Sequence, residues 1–266
     1  MVINFGDFFI LFLISKLLKF IIVMNTASRY YKINFDLSSS KKGYMEKYSS
    51  PKGKVDDTME SDIINFAYKL KPKHIKVPRV LEVGVYTGRV HKKLKKFFSN
   101  ITVSDVSVNI LKKYNNKKFI LNLSKKKKII VPKFDFIFSL GHQISFSNNI
   151  LNAIKTLTNL LNHNGFLVFD IWNKDCSDYF DPKVYRIEKM SKEQILKILD
   201  NHKLKLIKFS QGQKLFYTFN LIWRVFNFLI PRKIFIRLLV FFELLLKDLE
   251  AKKAQNLYFV IQKNNK

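Results

Sequence analysis

Arg79-Val80-Leu81-Glu82-Val83-Gly84-Val85-Tyr86-Thr87-Gly88-Arg89-Val90 is the stretch on which the fold turns. Val80, Leu81 and Val83 read as a short buried strand, and Gly84 and Gly88 let the backbone turn tightly and approach a ligand. Arg89 opens a helical pattern, and Glu82 stands at the strand's carboxyl end. In an open α/β sheet, ligands bind outside the carboxyl ends of the strands, where the strand order reverses. A dinucleotide fingerprint needs G-x-G-x-x-G so that a helix N-terminus can cradle a pyrophosphate. This turn has only G-x-x-x-G, with Tyr86 in place of the middle glycine. An acidic residue two before the first glycine suits instead a ligand with a cationic amino-acid end and no phosphate.

The run Glu82-Val83-Gly84-Val85-Tyr86-Thr87-Gly88 resembles the first motif of the class I methyltransferases that use S-adenosylmethionine: an acidic residue, any residue, glycine, three residues, glycine. The later landmarks of that family follow in order. Ile101 to Val106 reads as a second apolar strand ending in Asp105, where a carboxylate is placed to accept both ribose hydroxyls. The plainer reading of Asp105 is a helix N-terminal charge, a task that Ser107 serves equally well. Phe119 to Leu123 reads as a third strand, and the resemblance puts Asn122 beside the adenine amino group. Phe134 to Leu140 is the fourth strand, and Leu161 to Asn173 holds the fifth, with Gly165 suited to a left-handed position after a helix. The resemblance, which covers residues 79 to 173, implies cofactor contacts from Glu82, Gly84, Tyr86, Thr87, Gly88, Asp105, Val106, Asn122, Leu123 and Ser139. It calls for no metal.

The expected architecture is α/β: a doubly wound, mostly parallel, seven-stranded Rossmann-like sheet in one domain over residues 24–266. Strand and helix signals alternate along the chain, and 266 residues suffice for a full core. Ser61 to Leu70 reads as the first helix. Arg89 to Phe98, Ser107 to Tyr114 and Asn148 to Leu161 read as crossover helices, and Ser191-Lys192-Glu193-Gln194 is a capping-box pattern before another. Residues 25 to 60 read as a polar leader, of a kind that folds over the cofactor in the family resembled. Lys203 to Phe209 is the sixth strand and Asn256 to Gln262 a seventh, antiparallel between the fifth and sixth.

Between those two strands lie Leu215 to Ile230 and Pro231 to Glu250, apolar segments that read as a helical hairpin with Pro231 as a first helical residue. Arg232, Lys233, Arg237, Glu243, Lys247 and Asp248 are too many charges for a comfortable membrane span. The hairpin fits a lid over the active-site mouth, a dimer face or a lipid-apposed surface, beside the plain reading of packing on its own domain. Phe8 to Met24 is apolar but broken by Lys16 and Lys19 and preceded by Asp7, which argues against a cleaved signal. Residues 1–23 read as an upstream-start artefact, an anchor or a core helix.

Forty-eight basic residues against twenty acidic give a formal charge of +28. Such a balance suits nucleic acid or an acidic membrane as partner. Lys, Asn, Ile and Phe are inflated together, however, as adenine- and thymine-rich codons dictate, so composition accounts for much of the lysine without either. The run Lys125 to Lys128 reads as a solvated loop. The lone Cys176 excludes an internal disulfide and fits a cytoplasmic location, with membrane association on the cytoplasmic face left open.

Methyl transfer from a sulfonium is an in-line displacement governed by positioning and desolvation. An oxygen acceptor gains from a general base, and His142, two residues beyond the fourth strand in Ser139-Leu140-Gly141-His142-Gln143, is the candidate. Its competing reading is a solvated loop histidine. Asp170 and Asn173 stand where an acceptor hydroxyl is oriented. The N/D-P-P-Y motif of base amino-group methylation is absent after the fourth strand, and cytosine C5 chemistry lacks its cysteine there. Small-molecule, lipid or glycan acceptors are left in front, with an RNA-modifying or non-catalytic protein as alternatives.

Overall fold

The computed structural model describes residues 51–124, 129–147, 149–176, 188–215, 231–249 and 254–264. Residues 1–23, the leader before Pro51, the Lys125–Lys128 run and the first arm of the hairpin beyond Leu215 lie outside them.

The first helix, α1, spans Pro51–Lys69 and starts ten residues before the expected Ser61. Val55, Met59, Ile63 and Ala67 recur every four residues and are all buried, so the apolar stripe already runs through the supposed leader. Pro51 and Gly53 mimic loop punctuation, but proline is well tolerated at a helix start.

Next come β1 (Val80–Val83), α2 (Arg89–Leu94), β2 (Ile101–Asp105), α3 (Val108–Leu111), β3 (Lys118–Ile120) and β4 (Phe134–Ser139). The chain continues through α4 (Ile150–Asn159), β5 (Leu161–Trp172), α5 (Lys192–Asn201), β6 (Leu204–Gly212), α6 (Arg232–Leu245) and β7 (Asn256–Lys263). Helices α2 and α3 are shorter than expected, and β3 ends before Asn122 and Leu123. Ser191 and Gln194 form the expected capping box on α5. Pro231 stands at the N-cap of α6 rather than inside it.

The seven strands form one sheet in the order β3-β2-β1-β4-β5-β7-β6. β1 to β5 run parallel, and β7 is antiparallel to both β5 and β6. The order reverses between β1 and β4, so the crevice for a ligand lies beyond their carboxyl ends. Both faces are buried, which explains the near-continuous apolar strands. One face carries Val103, Phe136, Phe138, Val168 and Val260 under α1, α2 and α6. The other carries Leu81, Val83, Ile137, Phe169 and Phe259, together with residues of α4 and α5.

Gly165 is not the left-handed residue expected after α4. That conformation falls on Asn164, with φ 58°. A Cβ on Gly165 would lie 3.1 Å from the carbonyl oxygens of Phe134, Asp135 and Asn162, so close backbone approach selects glycine. The β4–β5 register shifts just there, between Phe134 and Phe136.

Candidate active site

The turn after β1 is held from both sides. Gly84 and Val85 each donate a backbone hydrogen bond to the Ser104 carbonyl, at 2.8 and 3.1 Å. Gly84 and Gly88 have φ of 71° and 77°, a region that side chains disfavour. Tyr86, in place of the middle glycine, also takes a positive φ of 37°. Its strain is offset by two contacts: its N–H donates to Asp105 Oδ2 at 3.1 Å, and its carbonyl accepts from the Tyr114 hydroxyl at 3.2 Å. Asp105 Oδ1 accepts from the Ser107 N–H at 2.9 Å, while the Ser107 side chain caps α3. Asp105 thus does more than Ser107 does: it ties β2 to the glycine turn and keeps lone pairs free for a ligand.

Glu82 is buried, with Oε2 2.7 Å from His91 Nδ1 on α2. Burial pushes its carboxyl above the ordinary glutamate range, against the pull of His91. Its other oxygen, Oε1, is buried without a hydrogen-bond partner among the described residues, as are Thr87 Oγ1 and Ser139 Oγ. A Cβ on Gly84 would collide with the Gln143 side chain at 2.2 Å, so a flexible amide lies over the open face of the turn. Orphaned buried polar atoms and a glycine cradle are what a polar ligand at this crevice requires.

The remaining cofactor candidates fall along the same edge, at the carboxyl ends of β3, β2, β1 and β4 in sheet order. Ser139 is the last residue of β4 and fully buried. Val106 is 63% exposed beyond Asp105. Asn122 and Leu123 follow β3, and Asn122 Oδ1 accepts from the Ser124 N–H at 2.9 Å.

His142 is not a solvated loop residue. It is buried, in a left-handed conformation with φ 64°, and its ring stacks on Trp172 at a centroid distance of 4.6 Å. Asp170, at the end of β5, accepts from the His142 N–H at 2.8 Å, and its Oδ2 lies 3.2 Å from His142 Nδ1. Burial pushes the Asp170 carboxyl well above its ordinary value, helped by the charges of Glu60 and Asp56 and opposed by bonds from the His142 and Gly141 backbone. Asn173, the other candidate, just beyond β5, is spent on structure. Its Nδ2 donates to the Ala254 carbonyl at 2.8 Å and its Oδ1 accepts from the Asp175 N–H at 3.1 Å.

Sequence reasoning missed the clamp that closes this region. Arg89 forks onto Glu60 of α1, with Nη2 2.6 Å from Oε1 and Nη1 bonding Oε2, and Lys93 Nζ joins Glu60 at 3.0 Å. Burial alone would raise the Glu60 pKa, but the charges and bonds of Arg89 and Lys93 hold it below the ordinary range. One turn earlier, Asp56 accepts from Gln213 Nε2 and from Asn256 Nδ2, the latter at 2.7 Å, which ties α1 to β7. No local signal announces partners this far apart in sequence. Among the described residues no group of His, Cys, Asp and Glu is placed to hold a metal.

A family model described as "Methyltransferase domain" matches residues 55–215. No curated protein matches the sequence. Among solved structures, the S-adenosylmethionine-dependent methyltransferase from Clostridium acetobutylicum ATCC 824 is similar at TM-score 0.52 and 13% identity, over 78% of this chain and 92% of that one. The N-methyltransferase NodS from Bradyrhizobium japonicum WM9, in complex with S-adenosyl-l-homocysteine, is similar at TM-score 0.52 and 13% identity, over 88% and 98%. The plantazolicin methyltransferase BamL, in complex with a triazolic desmethylPZN analog and SAH, reaches TM-score 0.51 at 14% identity, over 92% and 99%. At such identity these likenesses concern the fold alone.

Proposed function

Because the chain belongs to the methyltransferase-domain family, class I enzymes that take S-adenosylmethionine as methyl donor, we propose that it methylates an oxygen atom of a small-molecule, lipid or glycan acceptor with His142 as general base. The observation that carries this reading is the buried His142–Asp170 pair stacked on Trp172.

The residues that would hold the donor are Glu82, Gly84, Tyr86, Thr87 and Gly88 after β1, Asp105 and Val106 after β2, Asn122 and Leu123 after β3, and Ser139 at the end of β4. Asp105 keeps lone pairs for the ribose hydroxyls, and the orphaned Glu82 Oε1 and Ser139 Oγ offer polar contacts near the strand ends. When bound, S-adenosylmethionine supplies an electrophilic methyl group on a sulfonium.

The chain's own residues prepare the acceptor. Asp170 accepts the His142 backbone N–H and faces its Nδ1, which orients the imidazole for the proposed base role. Trp172 supports the ring from one side and Phe146 braces Trp172 edge-on at 5.5 Å. The acceptor oxygen would take the methyl group as the donor's methyl–sulfur bond breaks and S-adenosylhomocysteine leaves, and the oxygen's proton would pass to the His142 imidazole. Helix α1, clamped by Arg89 and Asn256, covers this sheet face and excludes water, which strengthens the electrostatic contacts within.

The test is transfer of isotope-labelled methyl from S-adenosylmethionine to small-molecule, lipid and glycan extracts, followed by identification of the product bond by mass spectrometry. An oxygen-linked methyl whose formation is lost in His142→Asn supports the reading. A nitrogen-linked methyl, or full activity in His142→Asn, refutes it.

A further inference from the structure

Helix α6 is apolar on its outer face as well as its inner one. Phe235, Leu239 and Glu243 recur every four residues and are buried, with Ile236, Val240 and Leu244 half-buried beside them. This inner face packs on α1, and Glu243 accepts from the backbone N–H groups of Leu215 and Lys214 at 2.7 and 3.0 Å. The outer face carries Ile234, Leu238, Phe241 and Leu245, which are 49%, 42%, 59% and 65% exposed. Their spacing of four, three and four residues puts them on one narrow stripe. Phe242 and Leu249 extend it. An ordinary surface helix buries the apolar residues and exposes the charged ones, whereas this one hides a glutamate and presents leucine and phenylalanine. A contiguous apolar stripe of this kind marks an interaction surface.

We propose that this stripe docks α6 flat on an anionic lipid surface. Charge complementarity selects that occupant. The exposed charges on the described part of the helix are Lys233 and Arg237, both basic; Glu243 is turned inward, and the acidic Asp248 beyond the helix end, beside Leu249, is engaged by Ser210 and Lys208. The whole chain carries +28, which attracts it to acidic headgroups. The same charge opposes a second copy, because pairing this face with itself would bring two strongly cationic chains together. Fourteen helical residues span about 21 Å at about 1.5 Å each, short of a hydrocarbon core of about 30 Å. No helix among the described residues is long and apolar enough to cross a membrane. A surface-lying helix with basic residues flanking an apolar stripe fits that geometry. The proposal does not rest on the identity of the methyl acceptor.

Flotation of the full chain with vesicles tests it, using phosphatidylcholine alone and phosphatidylcholine containing about one third phosphatidylglycerol. The chain is expected to float with the anionic vesicles and to release as salt rises. Leu238→Ser/Phe241→Ser/Leu245→Ser should weaken vesicle binding by about tenfold or more while leaving melting temperature and S-adenosylhomocysteine binding unchanged. Lys233→Glu/Arg237→Glu should weaken binding to the anionic vesicles alone, and it decides the matter if the triple variant fails to fold. Failure of the parent chain to float overturns the proposal. So does undiminished binding by the variants, which would place the membrane contact elsewhere in the chain. A parent dimer that the triple variant converts to monomer would give the stripe to a second copy and equally overturn it.

Discussion

Asp170 accepts the backbone N–H of His142 at 2.8 Å, and its Oδ2 faces Nδ1 of the same residue at 3.2 Å without hydrogen-bond geometry. A single carboxylate thus bonds the left-handed backbone of the loop after β4 and stands beside the imidazole of the proposed base. Removing it should loosen the base, and removing the base should stop proton transfer.

Accordingly, His142→Asn is predicted to lower turnover by about 10²- to 10⁴-fold with cofactor affinity unchanged. Asp170→Asn, a positioning change, should lower turnover less and move the pH at which activity rises. A KM or cofactor-affinity effect without a turnover effect would remove His142 from the chemistry.

The clamp between α1 and α2 should respond to acid. The Glu60 pKa lies below the ordinary glutamate value of 4.5, so its bonds to Arg89 and Lys93 contribute stability above that pH. That stability is lost as pH falls through the lowered folded-state value. Glu60→Gln should cost about 3 kcal/mol at neutral pH, the low end for breaking a buried pair, because Arg89 keeps Asp57 at 3.2 Å. Thermal melts from neutral to acidic pH should show a flatter profile for the variant. Parallel profiles for parent and variant would show that the clamp contributes nothing.

At the glycine turn, Gly88→Ala is predicted to destabilise the fold by about 1–2 kcal/mol through its left-handed backbone alone. The new Cβ would also meet the Tyr114 hydroxyl at 2.7 Å, displacing the group that bonds the Tyr86 carbonyl. Adding Tyr114→Phe should relieve part of the cost, and chemical denaturation of the single and double variants measures it. An unchanged cost in the double variant would mean that backbone strain accounts for all of it.

A chain beginning at Met24 is predicted to fold and to bind S-adenosylmethionine as the full chain does, because the sheet and every candidate cofactor residue lie after that position. Insolubility, or lost cofactor binding, would make residues 1–23 part of the core.

The glycine turn and the strand ends around it were legible because both leave local marks. Glu82, Gly84 and Gly88 carry the turn in their spacing, and Asp105 ends an apolar run at the distance the family requires. The β7 insertion was readable from one apolar strand after an interruption. What sequence could not convey was pairing at a distance. Nothing near Arg89 points to Glu60, and nothing near Asp56 points to Asn256 on the last strand. A solvated loop residue stayed open as the competing reading of His142 because its burial comes with Trp172 and Asp170, which the topology alone brings there. The start of α1 was hidden by Pro51 and Gly53, although the four-residue rhythm from Val55 was present. The hairpin's apolar segments left several roles open because hydropathy reports composition, not which face meets the domain, and the outward face of Phe241 and Leu245 is seen only in the structure.

Whether the edge formed by β1, β2 and β4 binds S-adenosylmethionine is decided by calorimetry on the purified full chain. Saturable binding of S-adenosylmethionine and S-adenosylhomocysteine is expected, weakened by about 2–3 kcal/mol in Asp105→Ala through loss of a charge-assisted contact to the ribose. No binding by the parent chain, or equal affinity in a folded Asp105→Ala variant, would contradict it.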